Sequence, residues 1–130
     1  MHRIFFVHDV QEDPSLRAGA LEAAGYDVAR LRSETELLAA LQQELPAMIL
    51  MDVLLEGING FEACRKVRTL LEPTQMPIIL GSHIYRSRVY RDEAQAAGAQ
   101  RYLRYPMDPD ELVLAVNEVI LEAQKALRPS

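Results

Sequence analysis

The stretch AMILMDVLLEGINGFE, residues 47–62, decides the fold. Its apolar run at residues 47–51 ends at a single acid, Asp52, and a loop with Gly57 and Gly60 follows before a helical spacing of apolar residues begins. A short continuous apolar run is typical of a strand buried on both faces, as in a parallel sheet. We therefore predict that Asp52 lies at the carboxyl end of a buried strand, where open parallel sheets place their ligand sites.

Strands and helices alternate along the rest of the chain. Strands are predicted at residues 4–7, 26–31, 47–51, 77–80 and 100–104, and those at 4–7, 47–51 and 77–80 are continuous apolar runs. Each predicted strand is followed by a helix with its own start signal or apolar stripe, and the clearest start signals are Asp13-Pro14, Ser33 with Glu36, and Asp108-Pro109. Five alternating pairs predict a parallel sheet with helices on both faces.

Apolar spacing also predicts which face of each helix packs on the sheet. The first helix is expected to pack through Leu16, Ala20 and Ala24 and to stop at Gly25. The third is expected to use Phe61, Cys64, Val67 and Leu71, and the fifth Leu112, Ala115, Val116, Val119 and Ala123. On its core face, Cys64 is predicted to be a small buried apolar residue rather than a nucleophile.

Composition limits the classes of function that fit. With 130 residues, 49% of them hydrophobic and 25% charged, the chain is expected to fold as one globular domain. No apolar run is long enough for a membrane span, and the start, MHRIFFVHDV, does not resemble a secretory signal. The formal net charge of −5 argues against nucleic-acid binding by this domain, and a single cysteine fits the cytoplasm.

Four of the five predicted strands deliver polar groups at their carboxyl ends. His8 and Asp9 follow the first strand, Asp52 the third, Ser82 the fourth and Tyr105 the fifth. In a parallel sheet these ends share one edge, so the residues are candidates for a single site.

These residues and spacings resemble the receiver domains of two-component response regulators. The resemblance rests on D-x-x-x-x-G-x-x-G-F-E at residues 52–62, PIILGS at 77–82 and RYLRYP at 101–106, and it covers residues 3 to about 123. It implies the flavodoxin-like (βα)5 fold, with a doubly wound parallel sheet in the strand order 2-1-3-4-5. We place the receiver domain at residues 1–124 and a tail or linker at 125–130.

The resemblance also implies roles for individual residues. Asp52 matches the phosphoacceptor, Asp9 one of two metal-binding acids, and Ser82 the hydroxyl that binds the phosphoryl group. Tyr102 matches the aromatic residue whose rotation reports activation, and the backbone carbonyl of Leu54 would complete a Mg²⁺ site. The bond matching Tyr105-Pro106 is commonly cis in the family, so we expect a cis bond here.

Four positions depart from the family pattern, among them Glu56, where proline is frequent, and His83, where a small residue usually follows the hydroxyl. His8 stands where the first acid of the metal-binding pair is expected, and Tyr105 stands where the family has an almost fixed lysine. We therefore expect weak or absent Mg²⁺ binding, and slow phosphorylation of Asp52, because phosphoryl transfer to a carboxylate depends on positioning and charge neutralisation. His8 with Asp9 and Asp52 could instead hold Zn²⁺, Mn²⁺ or Ni²⁺, although a neutral histidine filling a disused metal pocket is the simpler interpretation.

Three functions follow as hypotheses. The first is a receiver in a phosphorelay, with a sensor histidine kinase or a phosphotransfer protein as its partner. The second is a phosphorylation-independent pseudo-receiver that acts as a protein interaction module. The third is a small hydrolase with a metal at His8, Asp9 and Asp52, which lacks support because no nucleophile–base pair or phosphate-binding glycine loop is visible.

Tyrosine and arginine are concentrated near the fourth helix and fifth strand. Tyr and Arg are enriched at interface hot spots, whereas a solvated basic face is the alternative. By resemblance, this is the face through which receivers dimerise or contact partners, so a homodimer through the fourth helix, fifth strand and fifth helix is predicted. The residues expected on it are Ser82, Tyr85, Arg86, Tyr90, Tyr102 and Arg104.

Overall fold

The computed structural model describes residues 2–9 and 11–127, and the sheet within them has the predicted architecture. Its five strands are all parallel and lie in the order β2-β1-β3-β4-β5. The bounds of the strands are β1 Arg3–Val7, β2 Asp27–Leu31, β3 Met48–Asp52, β4 Ile78–Ser82 and β5 Arg101–Arg104. The fold class and strand order predicted from the sequence are confirmed.

Five helices connect or follow the strands, as predicted. Their bounds are α1 Ser15–Ala23, α2 Glu34–Gln43, α3 Gly60–Arg68, α4 Arg88–Ala97 and α5 Pro109–Leu127. The Ser33 hydroxyl caps α2 by accepting a hydrogen bond from the Glu36 amide, and the Asn59 side chain caps α3 in the same way through Glu62. Strong local start signals thus fix where these two helices begin.

The core consists of two apolar layers, one on each face of the sheet. On one face, α3 contributes Phe61, Cys64 and Val67, and on the other, α5 contributes Leu112 and Val116. All five residues of β3 are buried, because helices cover both of its faces. The strand that ends in Asp52 is therefore held rigidly in the centre of the domain.

The predicted packing face of α1 is wrong. Ala18 and Leu21 are the buried residues of this helix, whereas Leu16 is 72% exposed. Successive helical residues point about 100° apart, so turning Ala18 inward carries Leu16 outward and brings Arg17 close to the sheet edge. This rotation of α1 brings Arg17 to the site described below.

The last helix, α5, continues to Leu127, past position 124 where we placed the end of the domain. Residues 128–130 of the predicted tail lie outside the described residues. Although α5 has 19 residues, no helix between residues 2 and 127, position 10 aside, is long and apolar enough to cross a membrane.

Candidate functional site

The carboxyl edge of the sheet brings the predicted site residues together. In the pairing of β3 with β4, Asp52 lies opposite Gly81, so Ser82 follows directly at the same edge. The backbone amide of Asp9 donates a hydrogen bond to Asp52 Oδ2 at 3.1 Å, and the amide of Tyr105 donates to the Ser82 carbonyl at 2.9 Å. Asp52 is only 4% exposed, so its carboxylate requires partners within the protein.

Arg17 from α1 is the principal partner of that carboxylate. Its Nη1 donates to Asp52 Oδ1 at 2.7 Å and its Nη2 donates to Oδ2 at 3.2 Å. Two parallel N–H···O bonds form the bidentate geometry in which arginine binds carboxylates most strongly. Together with the Asp9 amide, the guanidinium therefore engages both oxygens of Asp52.

Two aromatic rings hold the Arg17 guanidinium in place. Its Cζ lies 4.8 Å from the ring centroid of Phe6 and 4.4 Å from that of Tyr105, which are distances for cation–π contact. The side chain is 11% exposed. Burial lowers the pKa of Arg17, but the hydrogen bonds and charge of Asp52 outweigh it and leave that pKa above its ordinary value, so the group is always charged.

Tyr105 serves as the aromatic platform under Arg17. The residue is 1% exposed, and its hydroxyl is the one buried side-chain polar atom in residues 2–9 and 11–127 without a hydrogen-bond partner. Burial raises the pKa of this phenol, so Tyr105 stays neutral. The ring lies against the Cα of Gly81, where a Cβ would stand 2.6–2.8 Å from ring atoms. The absence of a side chain at Gly81 therefore leaves room for the ring.

Replacing Gly81 with alanine is expected to destabilise the protein by about 1–3 kcal/mol, the usual cost of overpacking a core. The new methyl group would overlap the Tyr105 ring, which cannot move without displacing Arg17. Thermal unfolding followed by circular dichroism checks this, with Gly19→Ala in α1 as the control. A Cβ at Gly19 meets nothing within 4 Å, so this variant should be stabilised by about 0.5–1 kcal/mol. Equal effects of the two substitutions would contradict the packing of Tyr105.

The positions implied to bind a metal ion are only partly assembled. Asp9 and Leu54 line one open depression with Gln11, Leu55 and Glu56. The Asp9 carboxylate accepts a hydrogen bond from the Gln11 amide at 2.9 Å, while the oxygens of Asp52 are engaged by Arg17 and by the Asp9 amide. This donor set suits a divalent cation poorly, because a cation there would share Asp52 with a guanidinium that it repels.

The His8 side chain packs against Phe6 and is not oriented as a metal ligand. It is nearly buried, its ring meets the edge of Phe6 at a centroid distance of 5.5 Å, and its Nδ1 lies 3.1 Å from the Asp9 carbonyl oxygen. Within the described part of the chain, no three His, Cys, Asp or Glu side chains cluster as a metal site would require. That His8 fills a disused metal pocket stays a prediction.

Glu12 and His83 lie next to Arg17 as charged or ionisable neighbours. The Glu12 carboxylate lies 3.6 Å from Arg17 Nη2 and 3.0 Å from His83 Nδ1, and the His83 ring lies 5.2 Å from that of Tyr105. His83 and Arg17 share a cavity of about 100 Å³ with Asp13, Leu16, Tyr105, Pro106, Met107, Pro109 and Leu112. The Tyr105-Pro106 peptide bond is cis, as expected.

Ser82 and Tyr102 connect the site to the face formed by α4 and β5. The Ser82 oxygen accepts hydrogen bonds from the Ile84 and Tyr85 amides at 3.0 and 3.1 Å, so its proton remains available to an acceptor at the sheet edge. The Tyr102 hydroxyl donates to the Tyr85 carbonyl, and its ring stacks on Phe61 at 6.2 Å. Burial raises the pKa of Tyr102 to about 12.

The α4–β5 face is rich in unpaired positive charge. Arg88, Arg91 and Arg104 surround one depression with Ser87 and Tyr102, and these three arginines form no salt bridge with any described residue. The neighbouring α5 presents acids, since Glu122 and Glu118 approach Arg101 at 2.9 and 3.8 Å. The surface thus places a basic patch beside an acidic helix.

Arg17 is the functional residue that the sequence analysis missed. The arginine that reaches Asp52 comes from α1 rather than from the α4–β5 face. The available signal was an arginine in the first turn of a helix that begins beside the site, combined with an aromatic residue at the lysine position. Cys64 is buried as predicted, and burial raises the pKa of its thiol to about 11.

Comparisons with known proteins address the family of this chain. The family model described as "Response regulator receiver domain" matches residues 4–117. The chain is 28% identical to Protein PilH of Pseudomonas aeruginosa over 120 residues, which cover 92% of this chain and 98% of that protein. It is 30% identical to the phosphate regulon transcriptional regulatory protein PhoB of Rhizobium meliloti, covering 94% of this chain and 53% of PhoB.

Solved structures show the same fold. A CheY-like response regulator receiver domain protein from Methanospirillum hungatei superposes with a TM-score of 0.86 at 28% identity, covering 97% of this chain and 98% of that one. A putative response regulator from Chloroflexus aurantiacus superposes with a TM-score of 0.80 at 32% identity, covering 92% of this chain and 98% of that one. Because the family model spans most of the domain and both structures match almost end to end, this chain belongs to the response regulator receiver domains of two-component systems.

Proposed function

We propose that the chain receives a phosphoryl group on Asp52, slowly, from a sensor histidine kinase or a phosphotransfer protein. The observation that carries this is the position of Asp52: a buried carboxylate at the end of the central strand, with Ser82 and the Asp9 amide at the same edge. Receiver domains of two-component systems interact with such donors, and this chain carries the matching acceptor, Asp9 and Ser82.

The slow rate follows from the cations around Asp52. By the family pattern a divalent ion and a lysine would neutralise the phosphoryl group, and here one metal-binding acid is His8 and the lysine is Tyr105. A charge pair 4 Å apart near a protein surface is worth about 4 kcal/mol, or roughly 10³ in rate. We propose that Mg²⁺ binds weakly, which the engagement of both Asp52 oxygens supports.

Incubation with acetyl phosphate tests the acceptor directly. The wild-type protein is expected to gain one phosphoryl group over hours rather than minutes, measured by intact mass, and peptide mapping should place it on Asp52. Asp52→Asn is expected to gain none, and circular dichroism shows whether the variant is folded. Stoichiometric addition within seconds would contradict the slow rate. No addition to either protein would favour the phosphorylation-independent interaction module.

The α4–β5–α5 face is the proposed contact surface. A two-fold pair of chains would place the basic patch of Arg88, Arg91 and Arg104 against the acidic α5 of a second copy, and an isologous dimer is the commonest symmetric assembly. Light scattering after size exclusion is expected to show a dimer that Arg91→Glu weakens. A monomer at all concentrations for both proteins would count against this surface as a dimer contact.

A further inference from the structure

We infer that Arg17 is a catalytic residue of the proposed reaction: it replaces in part the metal ion and lysine in neutralising the phosphoryl group on Asp52, so phosphorylation is slow but does not require a divalent cation. This inference rests on the proposed function, because it concerns the same acceptor. It assigns a role to an arginine that lies outside every sequence motif on which the resemblance depends.

Arg17 contacts the reacting atoms directly. The nucleophile in the reaction is one of the two Asp52 carboxylate oxygens, and Arg17 donates a hydrogen bond to each of them. A guanidinium can shift one N–H group to a phosphoryl oxygen while the other stays on the aspartyl oxygen, because its donors form a planar fork. No other cationic side chain within residues 2–9 and 11–127 forms a salt bridge to Asp52.

Arg17 is also held in place before any donor arrives. The Phe6 and Tyr105 rings both lie within cation–π distance of the guanidinium, Glu12 lies beside Nη2, and most of the side chain is shielded from water. Donors fixed where charge develops contribute more to catalysis than mobile ones, since they need no reorganisation during the reaction. Tyr105 therefore acts as a positioning residue for the guanidinium.

The charge on the Asp52 side chain changes in the reaction. With acetyl phosphate as the donor, an Asp52 oxygen attacks the phosphorus and forms a new P–O bond. The P–O bond to the donor breaks, and its electron pair leaves with the acetate. The side chain changes from a carboxylate of charge −1 to an acyl phosphate of charge about −2. The positive charge of Arg17 remains beside it throughout.

A divalent ion would have to compete with Arg17. Both would share the Asp52 carboxylate, and the remaining acid of the implied metal site, Asp9, already accepts a backbone hydrogen bond. Titration of the wild-type protein with Mg²⁺ by calorimetry is therefore expected to show no saturable binding at millimolar concentrations. This readout does not depend on phosphorylation.

The decisive experiment compares rates of acetyl phosphate labelling in Mg²⁺ and in EDTA. For the wild-type protein we expect the rates in Mg²⁺ and in EDTA to be within about threefold of each other, because no divalent ion takes part in the reaction. Arg17→Met is expected to be slower by roughly 10³-fold, the value of one cation at this distance. Arg17→Lys keeps the charge but loses the forked pair of donors. Its labelling rate should lie between those of the wild type and Arg17→Met and should remain insensitive to EDTA.

A matched control is Arg65→Met, which removes an exposed arginine 3.7 Å from Glu93 and should not alter the rate. Circular dichroism identifies variants that fail to fold, and the wild-type and lysine arms remain informative if the methionine variant does. Labelling of wild type that EDTA abolishes would overturn the role of Arg17 while leaving Asp52 as the acceptor. Faster labelling of Arg17→Met in Mg²⁺ would also overturn it. No labelling of wild type under either condition would overturn both proposals.

Discussion

Replacing Arg17 with methionine is expected to lower the free energy of unfolding by about 3–5 kcal/mol, the usual cost of removing one partner of a buried ion pair. The side chains of Arg17 and Asp52 are 11% and 6% exposed, so water cannot replace the lost guanidinium. Methionine fills part of the space that Arg17 occupies beside the Phe6 and Tyr105 rings, and the loss of stability therefore reports mainly the unpaired carboxylate. Urea unfolding followed by circular dichroism measures it.

The double variant Arg17→Met with Asp52→Asn separates the ion pair from packing. It removes both charges, so we expect it to recover more than half of the stability that Arg17→Met loses. The exposed pair of Arg65 and Glu93 is the control, and Arg65→Met should change stability by no more than about 0.5 kcal/mol. If Arg17→Met also lowered the free energy of unfolding by no more than about 0.5 kcal/mol, the guanidinium would not pair with Asp52 in solution.

Restoring the family pattern should convert the site to metal-dependent chemistry. The triple variant His8→Asp, Arg17→Ala and Tyr105→Lys returns the missing acid and lysine and removes the competing guanidinium. We expect its labelling by acetyl phosphate to be at least about 10²-fold faster in Mg²⁺ than in EDTA, since the ion and the lysine each neutralise part of the phosphoryl charge. Intact-mass time courses in the two buffers provide the measurement.

The control for this conversion keeps Arg17. In His8→Asp with Tyr105→Lys alone, arginine and lysine are forced together beside Asp52, so the protein should be less stable than the triple variant and depend less on Mg²⁺. Equal dependence on Mg²⁺ in both variants would show that Arg17 and the ion do not compete. Circular dichroism must show folded protein in each case.

Sequence patterns predicted the fold because local and global signals agree. The continuous apolar runs gave the buried strands, and caps such as Ser33 marked helix starts that the structure confirms. The positions of Asp9, Asp52 and Ser82 at one edge follow from the strand ends alone, because every parallel strand ends at the same side of the sheet. Only residue types and spacing are needed for these conclusions.

The pairing of Arg17 with Asp52 could not be obtained in this way. It depends on the rotation of α1, and the apolar stripe suggested Leu16 rather than Ala18 as the inward residue. A long side chain that reaches a residue 35 positions away leaves no periodic signal. The sequence shows that Tyr105 replaces the lysine of the family. That its ring contacts the Arg17 guanidinium can be seen only in the structure, where Gly81 leaves room for the ring.

The most direct test of the account is a crystal structure of the protein soaked with Mg²⁺ and beryllium fluoride, a mimic of the phosphoryl group. We expect the fluoride complex on Asp52, with the Arg17 guanidinium donating to a fluorine and still in contact with the Phe6 and Tyr105 rings, and no ion between Asp9 and Asp52. A Mg²⁺ ion bound by Asp9, Asp52 and the Leu54 carbonyl, with Arg17 displaced, would contradict it.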